Sequence, residues 1–449
     1  MRVVSSEFGR IDCRKLNRLT LARLKELDRF YEASGGQIFD WTNPGWIKVQ
    51  SYVGVIQVPG LSIEILPKIA QTTEAIVDPD NLARAQWAQA QRNLLFMLAV
   101  AGIVPYSERG FANVEIARMP LLEGFISAFA RRLIQELRRG LDCAYVERNE
   151  NLPVLRGKIL VGTHLRLNAM HPEKLFVAYD DFNPDTLLNR ILKAACQRLL
   201  GIAVLAGTQQ LLRECLIDLA DVEEIHVTED CFDQIYLSRN NLRFSPLLEF
   251  SRLVLIGSSP QLRAGEVKTF ALLFPMEKLF EQFIGSLIRR HAEEIGIPRN
   301  QVSLQGKGHP RWLVHTPDGP GRFALKPDIL ISDHLGNVQT IVDTKWKVLT
   351  RDVDDRKNGV AESDMYQVFA YATKFESKDN VLLYPAVEGV TPKEYDASDR
   401  GHARKIRVET VNLNYDLARN RSVLVQQLQS ILQLSSPTDR SKSETRIIS

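Results

Sequence analysis

The chain has 449 residues, more than one hydrophobic core usually serves, so two or three domains are expected. Its composition, 45% hydrophobic and 25% charged, is that of a globular protein and excludes a fibrous or low-complexity chain. The 57 Lys and Arg residues against 54 Asp and Glu residues leave a net charge of +3, which neither requires nor excludes a nucleic-acid partner.

Cysteine usage and hydropathy predict the compartment. The cysteines are scattered, odd in number and never in a CxxC pair, which argues against a disulfide framework or a zinc ribbon. The first residues lack the apolar core of a signal peptide, and the most apolar run, 94–104, is too short to span a bilayer. We therefore expect a soluble protein of the reducing cytoplasm that has no membrane partner.

The N-terminal part alternates helix and strand patterns. Leucines at helical spacing predict an amphipathic helix over 16–33. Residues 46–69 contain two apolar runs separated by Pro59-Gly60, the pattern of a β-hairpin. Residues 81–104 and 121–139 have the apolar spacing of helices.

The middle of the chain begins with strand character over 143–168, around the turn Arg156-Gly157-Lys158. That turn is either a plain surface turn or a finger that reaches into a partner. Residues 185–220 predict two helices, the first of which Asp185 could cap.

A third block begins near residue 245, with predicted helices to about 256 and over 275–295, followed by alternating strands and helices to about 415. The sequence therefore predicts an α+β multidomain chain. Its parts are an N-terminal α+β region at 1–150, a mostly helical middle region at 151–260, a C-terminal α/β domain with a mixed central sheet at 261–420, and a disordered polar tail at 434–449.

The C-terminal block contains the segment LKPDILISDHLGNVQTIVDTKWKVL, residues 325–349. It predicts two apolar strands, 329–331 and 340–342, joined by a turn at 333–337. Asp328 enters the first strand, Asp343 ends the second, and Asp343 and Lys345 share a face because alternate strand residues point the same way, while Thr344 points away. Pairing as a hairpin can then bring two carboxylates and an ammonium group to one edge of a sheet.

These residue types suit phosphodiester hydrolysis. Mg²⁺ is a hard cation that prefers carboxylate oxygen and keeps several waters. When bound, it polarises a phosphoryl oxygen and lowers the pKa of a bound water. A lysine beside it can orient that water or stabilise the charge on the phosphate. Mn²⁺ can be expected to substitute for Mg²⁺.

Taken alone, these three residues are equally well explained by a turn aspartate, Asp328, and an exposed ion pair of Asp343 with Lys345. Two further features shift the balance: Gln367 and Tyr371 share a helix face at i, i+4, and the preceding predicted helix offers an acid, Glu277 or Glu281. In this order the motifs resemble the PD-(D/E)xK nuclease superfamily, in the branch with a QxxxY helix.

More of the chain resembles the McrC family, the nuclease subunits of McrBC-type modification-dependent restriction systems. The resemblance runs from about residue 45 to 413 and rests on five segments: LSIEILPKI (61–69), VLRGKI (154–159), YDDFNPDTLLNRILKAA (179–195), MEKLFEQF (276–283) and KPDILI…VDTKWK (326–347).

The resemblance implies a DNA endonuclease that works with a ring-forming AAA+ GTPase of the McrB type on methylated double-stranded DNA. It also implies that the N-terminal region docks on this ring and that the chain stimulates GTP hydrolysis by its partner. Asp328, Asp343 and Glu281 would hold the metal, with Glu281 preferred to Glu277 because it lies in the LFE part of MEKLFEQF. Lys345 would orient water or stabilise charge. Gln367 and Tyr371 would flank the site, touching substrate or bracing it.

The sequence contains no GxxxxGK(S/T) phosphate-binding loop, which is consistent with a chain that depends on a partner for nucleotide hydrolysis. Two alternatives stay open at this point. The chain could be a non-catalytic adaptor that only stimulates the GTPase, or a stand-alone RecB-like repair nuclease.

Overall fold

A computed structural model of the chain describes most of its residues. The described residues are 1–33, 35–68, 79–105, 119–257, 269–316, 319, 321–347, 349, 359–387, 389–398 and 403–433. The segment assigned above to a disordered tail therefore lies outside them. None of the helices in the described part of the chain combines the length and apolar character needed to cross a membrane.

Strands and helices alternate along the described chain. The strands are β1 Arg2–Ser6, β2 Arg10–Asp12, β3 Phe39–Asp40, β4 Trp46–Val49, β5 Tyr52–Val58, β6 Leu61–Leu66, β7 Ala144–Leu152, β8 Lys158–Ile159, β9 Leu175–Asn183, β10 Phe270–Pro275, β11 Val302–Leu304, β12 Arg311–His315, β13 Gly321–Leu325, β14 Ile329–Ser332, β15 Val338–Thr344, β16 Asp379–Pro385, β17 Lys393–Asp396 and β18 Lys405–Val411. The helices are α1 Arg18–Glu32, α2 Pro79–Val100, α3 Leu121–Leu137, α4 Val161–Leu167, α5 Leu187–Leu200, α6 Ala206–Asp218, α7 Glu229–Asp233, α8 Ser245–Leu255, α9 Met276–Arg290, α10 Ala292–Ile295, α11 Glu362–Phe375 and α12 Arg421–Gln433.

The N-terminal region contains two small sheets, with strand orders β1-β6-β5-β10 and β2-β4-β3. The predicted hairpin around Pro59-Gly60 is confirmed, because β5 and β6 pair antiparallel from Val58↔Leu61 onward. Both sheets contribute to an apolar core that includes Leu24 and Leu27 of α1. Strand β10 joins the first sheet from far along the chain, so the N-terminal region is completed by residues after the middle region.

The middle of the chain differs from the sequence expectation in two places. The strand pattern over 143–168 gives a β7-β9-β8 sheet, but its last part forms the helix α4. Asp185 is not the cap of α5; the Thr186 side chain accepts from the Asn189 amide, and Asp185 instead pairs with Arg190 at 2.6 Å. Both residue types are favoured helix caps, and here Arg190, five residues after Asp185, binds the Asp185 carboxylate.

The C-terminal sheet is mixed, in the order β11-β14-β15-β16-β18-β17. Strand β15 pairs antiparallel with β14 and parallel with β16, which in turn pairs parallel with β18. Alternate residues face opposite layers: Val342 joins the core that contains α9, whereas Ile341 packs with Tyr371 and Phe375 of α11. The predicted α/β character with a mixed central sheet is therefore what the chain adopts.

One large apolar core crosses the expected domain boundaries. It includes Leu94 of α2, Phe125 of α3, Leu192 of α5, Phe283 of α9 and Val342 of β15. The boundary expected near residue 261 falls in a part of the chain outside the described residues, and the elements of the C-terminal layer begin at α9. The division at 150, 260 and 420 stays a prediction.

The C-terminal sheet is held to α12 by a buried arginine, which gives a first prediction. Arg407 is 3% exposed, bonds both carboxylate oxygens of Asp379 at 2.9 and 2.8 Å, reaches Glu409 at 2.8 Å, and donates to the Ile431 carbonyl. We expect Arg407→Met to lower the free energy of unfolding by about 3–5 kcal/mol, because it removes the ion-pair partner of two buried carboxylates.

Denaturant unfolding would measure this against Arg138→Met. Arg138 pairs with Glu214 at 2.9 Å on the surface, so its loss should cost less than about 1 kcal/mol. Equal losses for the two variants would show that the buried ion pair does not hold this layer together.

Candidate active site at the edge of the mixed sheet

Two predicted site aspartates meet at one end of the β14–β15 pair. The register sets Ile329 opposite Val342, so Asp328 and Asp343 continue the pairing side by side. Asp328 Oδ2 accepts hydrogen bonds from the backbone amide and the hydroxyl of Thr344, each 2.7 Å long. These two bonds orient the Asp328 carboxylate and leave its other oxygen outside the Thr344 interaction.

Asp343 is almost completely buried, with 1% of its surface exposed. Its Oδ2 lies 2.7 Å from Lys345 Nζ, an ion pair whose geometry is not that of a directed hydrogen bond. The Lys345 backbone amide donates to the Leu383 carbonyl at 2.9 Å, which fixes the chain just beyond β15. Lys345 therefore compensates the buried charge of Asp343 through a close ion pair.

The predicted QxxxY pair connects the lysine to the first aspartate. Lys345 Nζ donates to Gln367 Oε1 at 2.9 Å, and Gln367 Nε2 donates to the Tyr371 hydroxyl at 2.9 Å. The Tyr371 hydroxyl in turn lies 3.5 Å from the carbonyl of Lys326, two residues before Asp328. Helix α11 therefore braces the lysine at one end and the strand entry at the other.

The structure separates the two candidate helix acids. Glu281 lies close enough to Asp328 and Asp343 for its charge to raise the pKa of both, and its Oε1 accepts from Gln305 Nε2 at 3.0 Å. Glu277 is exposed and its charge acts instead on Glu7. Glu281 is accordingly the acid that the fold brings to this edge.

Electrostatics at the site follow from burial and from crowded negative charge. Burial, then the charges of Asp343 and Glu281, raise the pKa of Asp328 to about 7, opposed by the Thr344 hydrogen bonds. Burial also raises the pKa of Asp343, against the pull of Lys345. Burial alone would lower the pKa of Lys345, but the Asp343 carboxylate outweighs it and the pKa rises. The lysine is held as a cation between acids.

A divalent cation fits this donor set. Carboxylate oxygen is the ligand that Mg²⁺ prefers, and the buried, mutually repelling Asp328 and Asp343 offer a negative centre that such a cation would neutralise. Within the described residues no three His, Cys, Asp or Glu side chains already stand as a metal-binding group. Glu281 accepts from Gln305 through Oε1, which leaves its other carboxylate oxygen outside that bond.

Sequence reasoning missed three contributors to the site. Thr344 was set aside as pointing away, yet its hydroxyl orients Asp328. Gln305 has no role in the sequence prediction, yet its backbone amide donates to the Asp328 carbonyl at 2.8 Å. Buried Asp364 accepts from Lys347 Nζ and from the Tyr384 hydroxyl. Only for Asp364 does the sequence offer a signal, because this residue precedes Gln367 by one helical turn.

Glu7 connects the N-terminal sheet to the loop that carries the lysine. It accepts from the Lys68 amide at 2.9 Å and from Trp346 Nε1 at 3.0 and 2.9 Å. The Trp346 ring also packs on Phe280, with ring centres 5.2 Å apart. The residue next to Lys345 is therefore held between α9 and the first strand of the chain.

Comparison with known proteins identifies the chain. The fold and the site define a class of protein: an α/β chain in which a mixed sheet between helices presents two carboxylates and a lysine at one edge. The family model described as McrBC 5-methylcytosine restriction system component matches residues 47–385, a range that contains every site residue named above except Glu7. The chain belongs to this family, which confirms the family prediction made from the motifs.

Individual relatives agree. The chain is 22% identical over 319 residues to the Type IV methyl-directed restriction enzyme EcoKMcrBC of Escherichia coli K12, covering 68% of this chain and 88% of that protein. It shares its fold, with a TM-score of 0.66 and 18% identity, with a chain in a half-complex of Thermococcus gammatolerans McrB AAA+ hexamers with bound McrC, covering 96% of this chain and 100% of that one. A second McrBC complex from that organism gives a TM-score of 0.52 at 22% identity, covering 65% and 88% of the two chains.

The Glu7 contact gives a pH prediction. Burial raises the pKa of Glu7 to about 7 from an ordinary value of 4.5, so the folded state holds this proton more tightly than the unfolded state does. Stability from this group is greatest below pH 4.5 and is lost as the pH rises toward 7, by about 3 kcal/mol in all.

Unfolding of the wild type and of Glu7→Gln, whose amide does not titrate, would be compared across that range. As the pH rises from 4.5 to 7, we expect the unfolding free energy of the wild type to fall relative to that of Glu7→Gln. A difference that stays constant would contradict a buried, protonated Glu7.

Proposed function

We propose that this chain is the DNA-cleaving subunit of a modification-dependent restriction system, a Mg²⁺-dependent endonuclease of the PD-(D/E)xK type. The observation that carries the proposal is the convergence of Asp328, Asp343 and Lys345 at one sheet edge, with Lys345 held by Gln367. Membership of the McrBC family supports the assignment of the chain to a restriction system.

Each residue has a distinct role in this proposal. Asp328 and Asp343 would hold Mg²⁺, with Glu281 as a third ligand or a contact to its water. The ion, when bound, would supply Lewis-acid polarisation of the scissile phosphate and a water of lowered pKa. Lys345 keeps its proton beside Asp343 and presents an ammonium group to the developing negative charge.

Gln367 and Tyr371 act on the geometry of this group. Gln367 limits the rotation of the Lys345 side chain, because its amide oxygen takes one of the three ammonium protons. Tyr371 donates toward the strand entry at Lys326 and so relates the position of Asp328 to that of the lysine. Preorganisation of this kind is the main way in which a nuclease site stabilises a phosphoryl transition state.

A ring-forming AAA+ GTPase of the McrB type is the proposed partner, and methylated double-stranded DNA the proposed substrate. The related solved structures are of McrB AAA+ hexamers with bound McrC, and the curated relative is described as methyl-directed. This chain has no GxxxxGK(S/T) motif, so nucleotide hydrolysis must come from the partner. Stimulation of that hydrolysis is the second activity that we assign to the chain.

The direct test is cleavage of methylated and unmethylated plasmid by this protein with its AAA+ partner, GTP and Mg²⁺. Lys345→Ala should lower cleavage by at least about a hundredfold while leaving GTPase stimulation intact, because the lysine acts only on the phosphate. Lys374→Ala, which removes an exposed lysine from the same helix as Gln367, is the matched control and should cleave normally.

Other results would select the alternatives. Full cleavage by both Lys345→Ala and Asp343→Ala would place the chemistry in the partner and leave this chain an adaptor. Cleavage of flaps or ends without partner and nucleotide would point to a stand-alone repair nuclease.

A further inference from the structure

The hairpin of β12 and β13 lies largely outside the apolar cores of the described chain, and Leu325, at its end, packs against the core that contains Tyr371 and Phe375. All five residues of β12 are exposed, and the three central residues of β13 are exposed as well. A two-stranded ribbon that buries neither face gains little stability from packing. It nevertheless carries two exposed aromatic rings, Trp312 at 36% and Phe323 at 74% exposure.

The ribbon is anchored directly at the candidate active site. Its second strand ends at Leu325, three residues before Asp328. The loop that leads into its first strand begins at Gln305, which bonds both Glu281 and the Asp328 backbone. Strand β12 also contacts helix α11, which carries Gln367 and Tyr371. A long ligand that lies along the ribbon would therefore extend to the sheet edge that carries Asp328 and Asp343.

The described strands and flanks of the ribbon carry four cations and no acid: Lys307, Arg311, Arg322 and Lys326. The one acid in the sequence between 305 and 327 is Asp318, which lies between the two strands in sequence and outside the described residues. None of these four cations forms an ion pair with a described residue. By the register, Arg322 lies on the same face as Trp312 and Arg311 lies on the opposite face, so each face of the ribbon carries a cation. Cations on both faces, beside a carboxylate centre, are complementary to a polyanion whose phosphates flank the ribbon and run past that centre.

Local backbone geometry keeps the ribbon in a form that presents rings outward. The register pairs Trp312 with Ala324 and Val314 with Arg322, so these side chains share one face. A Cβ at Gly321 would lie 2.2 Å from Trp312 Cγ, so the indole covers this position only because it is glycine. Phe323 has a φ of 57°, a conformation that costs a non-glycine residue energy and is maintained here without burial.

We propose that the β12–β13 ribbon, with Lys307 and Lys326 at its base, binds the duplex that is cleaved at Asp328 and Asp343. The inference rests on the proposed function and deepens it by naming the element that positions DNA. An antiparallel two-stranded ribbon fits the major groove of B-form DNA. Arg311 and Arg322 bind backbone phosphates, and Trp312 contacts the groove wall or an unstacked base.

The test is equilibrium binding of a short labelled duplex to the full-length protein in EDTA, without partner or nucleotide, over a series of salt concentrations. The double variant Arg311→Ala/Arg322→Ala should bind at least about tenfold more weakly at low salt, with its salt slope reduced by about two. Arg289→Ala/Arg299→Ala removes two exposed arginines of the same layer and should change neither quantity.

Two further variants separate the kinds of contact. Arg311→Lys/Arg322→Lys should restore most of the affinity, since phosphate contacts need charge rather than the planar guanidinium. Trp312→Ala should weaken binding with an unchanged salt slope, because it removes no charge. Unchanged melting temperatures would establish that the variants are folded, as expected for exposed side chains.

The outcomes are decisive in both directions. Unaltered DNA binding by the arginine variant overturns the proposal. If the same variant binds DNA normally but fails to stimulate GTP hydrolysis in a separate assay with the partner, the ribbon is a protein-docking surface instead. Because the binding assay contains EDTA, it does not depend on cleavage. Normal ribbon-dependent binding in EDTA, together with no cleavage by the wild type in Mg²⁺ with partner and GTP, would contradict only the assignment of the nuclease.

Discussion

Asp343 is a charged group that the fold buries at the end of a central strand, and the remaining architecture of the site compensates for that burial. An isolated carboxylate in an apolar interior costs several kcal/mol and takes up a proton instead. Here Lys345 lies 2.7 Å away, and Gln367 holds the lysine in place. The compensation is incomplete, since the pKa values of both aspartates are raised. A divalent cation bound between them would neutralise the remaining negative charge.

The layers around the sheet explain why these groups meet. Alternation along β15 sends Val342 into the core under α9 and turns the next residue toward α11. Helix α9 supplies Glu281, α11 supplies Gln367 and Tyr371, and the two strands supply the aspartates. Glu7 reaches the same place from the N-terminal sheet through Trp346. A region expected to serve a partner is thus in contact with the residue that follows the lysine.

Much of this could be predicted from sequence, for definable reasons. The β14–β15 hairpin and the sharing of one edge by Asp328, Asp343 and Lys345 follow from strand alternation and a short turn. Gln367 and Tyr371 follow from helical spacing. Gln305 and the pairing of β10 with β5 could not be predicted, because each depends on contacts between segments whose relative placement no local pattern encodes. Thr344 lies in the predicted hairpin, but strand alternation alone does not reveal its hydrogen bonds to Asp328. The predicted Asp185 cap of α5 was wrong because Arg190, on the helix itself, binds the Asp185 carboxylate.

The central claim is that Asp328 and Asp343 form a site for a divalent cation, and Mn²⁺ binding followed by electron paramagnetic resonance tests it most directly. The metal is observed in the full-length protein without DNA, partner or nucleotide. The account predicts a bound Mn²⁺ signal that Mg²⁺ displaces and that Asp343→Asn removes, while Lys374→Ala retains it. A bound signal of equal strength in Asp343→Asn would place the metal elsewhere and contradict the assignment of this sheet edge as the catalytic centre.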